Sequence, residues 1–173
     1  LFSEMEEGTA AREGPGLLKD EGAGRWGGMG AEALAGHLLA CGEVAPLCVT
    51  IDTTPLFRGR PGVALYSGHW ELNGVAPTPE LVQATARVRA ELLELDPGLR
   101  VTNNGNDYVT YGRVFAAAPG RPVVSVAVEP AIFPYHQPGE GVFLEDIGRV
   151  ESLLVSFLRG RQKIILAKEN LLQ

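Results

Sequence analysis

The chain has 173 residues, enough for one domain with a sizeable core, and is 45% hydrophobic and 21% charged, an ordinary globular balance. Its formal net charge of -6 argues against general nucleic-acid binding, which needs Lys and Arg clustered against phosphate. No apolar run approaches the roughly 20 residues of a membrane-spanning helix, so no membrane partner is expected.

Leu1 to Met5 reads as the end of a strand, which predicts further residues before it. Glu6 to Gly28 is rich in Gly and charge and reads as a loop, with residues 8–28 an insertion. Ala31 to Ala40 is Ala- and Leu-rich and predicts a helix stopping at Gly42. Leu47 to Ile51 is short, apolar and β-prone, as in a buried strand of an α/β sheet. Pro55 cannot donate to a ladder, so that strand ends at Asp52-Thr53-Thr54. Val63 to Tyr66 reads as another strand.

The clearest helix follows. Thr78 is its N-cap, Pro79 fits its first turn, and Leu81, Thr85, Val88, Leu92 and Leu95 make one face. Asp96-Pro97-Gly98 ends it, and Leu99 to Thr102 reads as a strand entering the turn Asn103 to Asp107. Pro122 to Val128 predicts a strand, and Glu129 to Gly141 a Pro-rich loop carrying His136. The last helix is expected from Leu144 to Arg159, with Gly160 as its C′ residue and a short strand or helix after it. Alternating strands and helices predict one α/β domain over residues 1–173, with a mostly parallel sheet. Ligands gather at the carboxyl ends of such strands, so the polar candidates are expected to converge there.

Those candidates are few. Glu6 and Glu7 can divide labour, one ligating a metal and one acting as general base, or form a solvated acidic turn. Asp52, closing a strand, suits a rigid metal ligand or a cap of the next turn. His136, between Tyr135 and a Pro-rich stretch, is a metal ligand or a loop histidine. His69 is the competing histidine, a candidate substrate contact along with Asp107 and Tyr135, and His37 reads as structural. Cys41 and Cys48 do not make a disulfide framework; they read as buried thiols in a reducing compartment, which predicts a cytoplasmic location. There is no phosphate-binding Gly-Lys-Ser/Thr loop, no Gly-x-Ser-x-Gly elbow and no zinc-ribbon spacing.

Taken in order, several segments resemble the dinuclear zinc aminopeptidases and deacylases, especially the deblocking and tetrahedral aminopeptidases. They are Phe2 to Gly8, Gly28 to Ala31, Val49 to Thr54, Asn104 to Asp107, and Tyr135-His136 through Glu140 to Ile147. The resemblance implies a three-layer α/β/α sandwich, incomplete at its N-terminus. It implies Glu6 as general base and Glu7, Asp52 and His136 as ligands to two divalent ions, zinc first, with cobalt or manganese as substitutes. It also implies removal of N-terminal residues from peptides, or cleavage of a small amide, by a homo-oligomer. Two departures stand out: the stretch from Glu7 to Gly30 is long, which makes Asp20-Glu21 an alternative acidic pair, and the family's upstream His-x-Asp segment and bridging Asp are not in this chain. The alternative expectation is therefore a non-catalytic binding or assembly module on the same fold.

Overall fold

Helix α1 (Met29–Cys41) is the first element of the computed structural model, which describes residues 29–103, 107–116 and 122–170. It ends at Gly42, whose φ of 71° favours glycine. Strand β1 (Leu47–Ile51) is half-buried, and Ile51 is exposed, so it is less enclosed than its apolar sequence suggests. The cause is position: β1 lies at one edge of a four-stranded sheet ordered β1-β4-β2-β3. Pro55 ends the pairing and opens a 3-10 turn, Pro55–Phe57, where the Leu56 N–H donates to Thr54 Oγ1 at 3.2 Å.

Strand β2 (Val63–Ser67) is wholly buried. After a short helix, α2 (Trp70–Asn73), comes α3 (Pro79–Leu95). Its first turn is closed by Thr78, whose Oγ1 accepts from the Leu81 N–H at 3.2 Å. Leu81, Thr85, Val88 and Leu92 are buried as their spacing predicts, while Leu95 is exposed at the helix end. Each buried Leu or Val here contributes about 1.5–3 kcal/mol. Strand β3 (Arg100–Thr102) follows.

Helix α4 (Asp107–Phe115) was not expected, because its Tyr, Val and Thr content is β-prone. Tyr108, Gly112 and Phe115 form its buried side at helical spacing. Strand β4 (Val124–Pro130) is buried throughout and runs two residues beyond its expected end. The expected loop after it contains a short antiparallel hairpin, β5 (Ile132–Phe133) and β6 (Gly141–Val142). Helix α5 (Leu144–Asn170) continues through Gly160, contrary to expectation. Gly160 is not among the positive-φ residues, so it forms no C-cap; an interior glycine costs only about 1 kcal/mol, and the helix-forming residues around it offset that.

The fold is thus mixed α/β with a mostly parallel sheet. The Val124 N–H donates to Pro46 O at 3.0 Å, and Thr54 bridges Ala131 in parallel, so β4 runs with β1. The Ala131 N–H, just past the end of β4, donates to Gly62 O, just before the start of β2, at 2.9 Å. Strand β2 therefore runs against β4.

The chain divides into two compact units. In one (29–50, 66–85 and the described part of 103–126), α1 lies against α4. Ala35, Phe115 and Val123 form its core, with Leu38, Leu39, Val44 and Cys48 against it. In the other (51–65, 86–102 and 127–170), Asp146 at the start of α5 is buried, and its Oδ2 accepts from the Gly62 N–H at 2.8 Å. Arg149 grips Asp96 through two hydrogen bonds of 2.5 and 2.7 Å.

Candidate functional site

Asp52 and His136 follow neighbouring strands that point the same way. Past the ends of β1 and β4 the two chain segments stay joined. The Thr54 N–H donates to Pro130 O at 3.0 Å, and the Ile132 N–H donates to Thr54 O at 2.9 Å. Asp52 lies two residues before Thr54, and His136 four residues beyond Ile132, within the β5–β6 hairpin.

Asp52 is half-buried, and its Oδ1 accepts from the Thr53 N–H at 2.7 Å. This bond reaches only one residue on, short of the two-residue reach of an Asx turn. The second carboxylate oxygen has no hydrogen-bond partner among the described residues.

His136 is exposed and has a φ of 54°, uncommon for a residue with a side chain. Its backbone N–H donates to the Glu140 carboxylate at 2.5 Å. Its imidazole stacks on Tyr135, with ring centroids 3.9 Å apart. Such a conformation costs on the order of 1 kcal/mol and persists only where its surroundings impose it. Here Glu140 and Tyr135 do so. Neither imidazole nitrogen is hydrogen-bonded among the described residues.

Sequence reasoning passed over two carboxylates near this end. Glu140 holds the backbone of His136, a role that its place in the sequence does not signal. Glu129, in β4, is almost completely buried and has an interaction partner. A charge closing a run that is apolar but for Ser125, Val123 to Val128, is the available signal.

His69 and Asp107 do not join this group. His69 follows β2, which runs against β4, and both His69 and Asp107 belong to the other unit. That unit holds a polar network of its own. Asn103 Nδ2 donates to the Glu71 carboxylate at 2.6 Å, and the Tyr108 hydroxyl donates to Asn103 Oδ1 at 2.7 Å. Ser125 Oγ donates to Tyr108 O at 2.7 Å. Asp107 opens α4, where a carboxylate suits the positive end of the helix dipole.

His69 is completely buried, with its ring against Gly112 of α4. Its Nδ1 is 3.2 Å from Asn73 Nδ2. Burial lowers its pKa to about 4, so it is neutral near pH 7. It is a packed histidine rather than an exposed contact.

Glu6, Glu7, Asp20, Glu21 and the 8–28 insertion lie outside the described residues. Among the described residues, no group of three or more His, Cys, Asp or Glu side chains is placed to hold a metal ion. No described helix is long and apolar enough to cross a membrane. The expectation of two buried thiols is corrected: both are free, Cys41 is exposed and Cys48 is half-buried.

No protein-family model, curated protein or solved structure matches the chain.

Proposed function

We propose that this chain is part of a metal-dependent hydrolase of the aminopeptidase or amidohydrolase type, built on a zinc-peptidase-like α/β/α sandwich. The observation that carries this reading is the parallel bridge between Thr54 and Ala131. It keeps the Asp52 turn and the His136 hairpin on adjacent, equally directed strand ends, the usual place for a ligand in an α/β sheet. The imposed backbone conformation of His136 adds support, because conformational cost tends to be retained where a side chain has work to do.

The donors present fit a zinc-type ion in kind. Asp52 offers a carboxylate oxygen and His136 an imidazole nitrogen, and cobalt and manganese accept such donors too. They are two of the three or four donors required, and in this reading Glu7 supplies another. A bound ion would lower the pKa of water and polarise an amide carbonyl. Glu6 would accept the proton of the attacking water and return it to the leaving amine. Tyr135, half-exposed and stacked on His136, would touch a peptide or small amide substrate in this reading.

A second reading, a non-catalytic binding module, draws support from the absence of a three-ligand cluster among the described residues. Zinc calorimetry separates the two. Micromolar or tighter binding that His136→Ala weakens at least tenfold supports the hydrolase. Binding unchanged by His136→Ala and by Asp52→Ala favours the module.

A further inference from the structure

We infer that an exposed apolar stripe on α5 pairs with the same stripe of a second copy of this chain, the two helices running antiparallel. The inner side of α5 carries Asp146, Val150, Leu153 and Phe157, all buried and at helical spacing. Another side carries Leu144, Ile147, Val155 and Leu158, all exposed, Leu144 by 84% and Leu158 by 62%. At 3.6 residues per turn these four and Glu151 fall within about 80° of one another around the axis. Exposed apolar residues scattered singly are ordinary, but a row of them along one helix face marks an interaction surface.

The spacing points to a second copy as the occupant. From Leu144 the steps are three, eight and three residues, so the row reads the same in both directions, with Glu151 at its centre. An antiparallel copy, with the two-fold axis at Glu151, sets Leu144 opposite Leu158 of the second copy and Ile147 opposite its Val155, each contact being made twice.

Charge selects this direction over the parallel one. Glu145 and Arg159 are exposed along one border of the row, and neither has an ion-pair partner among the described residues. Antiparallel pairing brings Glu145 level, to within about 3 Å along the axis, with Arg159 of the second copy. Parallel pairing sets Glu145 against Glu145, and like charges repel. Glu151 opposes the arrangement, because two carboxylates meet at the axis. One helix face is also smaller than the roughly 800 Å² per partner of a standard interface, so a dissociation constant on the order of 100 μM is expected. The face shares no residue with the site proposed at Asp52 and His136, so either can fail without the other.

The test is sedimentation velocity of the 173-residue protein over a concentration series. A monomer–dimer equilibrium is expected, abolished by Leu158→Glu and tightened about tenfold by Glu151→Leu, which removes the facing charges. Glu145→Arg and Arg159→Glu should each weaken it, and the two together should restore it. All four positions are exposed, and an unchanged helical circular dichroism spectrum verifies folding. Protein that stays monomeric at about 1 mM, tenfold above the expected constant, assigns the face to some other segment or partner and overturns the proposal. So does a dimer indifferent to Leu158→Glu, or one that the paired charge reversal fails to restore.

Discussion

Asn73 fixes the tautomer of His69. Its Oδ1 accepts from the Val75 N–H, and its Nδ2 donates to Val109 O, each at 3.2 Å, so Nδ2 is the atom that faces His69 Nδ1. Nδ1 must then accept, and the ring proton sits on Nε2, which is buried without a hydrogen-bond partner among the described residues. Protonating the ring would set a second donor against the Asn73 amide. That conflict acts in the same direction as burial, which lowers the pKa to about 4.

Stability should consequently fall in mild acid. The folded pKa lies below the ordinary 6.5, so between the two values the unfolded chain binds more protons than the native one. The contribution is fully present above about pH 6.5 and is lost as pH falls toward 4. Its full size is on the order of 3 kcal/mol. Urea unfolding at a series of pH values checks this: the midpoint should drop between pH 7 and pH 5, and the drop should shrink in His69→Gln.

Gly112 should not tolerate a side chain. A Cβ there would overlap the His69 imidazole, which is completely buried and cannot swing aside. Gly112→Ala gains about 1 kcal/mol of helix propensity, but overpacking costs about 1–3 kcal/mol in less severe cases. Net destabilisation of about 2 kcal/mol is expected in denaturant unfolding, whereas Gly36→Ala, where a Cβ meets nothing within 4 Å, should be neutral or stabilising.

Asp146→Ala should destabilise the chain by about 1–3 kcal/mol, since it strands the buried Gly62 N–H. Asp146→Asn keeps a carbonyl oxygen and should lose less. Thermal unfolding of the two variants ranks them.

The Arg149 guanidinium holds the Asp96 carboxyl below its usual pKa. Its contribution is present above the ordinary Asp value of about 4 and lost as pH falls through the lower native value. Because Arg149 is one-third exposed, Arg149→Met should cost only about 1 kcal/mol at pH 7. That cost should diminish at the acid end, as urea midpoints of both proteins can show.

Much of the fold was legible where local chemistry and burial agree. Pro55 marked the end of β1, and Thr78 with the Leu81–Leu92 spacing marked α3. Helix α4 was missed because its residues favour strands, and only the burial of Tyr108, Gly112 and Phe115 decides for helix. The direction of β2 was not legible in the sequence. Residues 52–62 contain a 3-10 turn and no crossover helix, so the chain returns against β4, and His69 leaves the group around Asp52. Of the site, the sequence pointed to Asp52 and His136. The role of Glu140 and the burial of Glu129 depend on three-dimensional contacts that spacing alone does not encode.

The central claim, that Asp52 and His136 serve one metal, is tested most directly by anomalous diffraction from zinc-soaked crystals. A zinc peak is expected about 2.0–2.2 Å from an Asp52 carboxylate oxygen and from a His136 imidazole nitrogen. A peak that touches only one of the two residues, or none at saturating zinc, contradicts it.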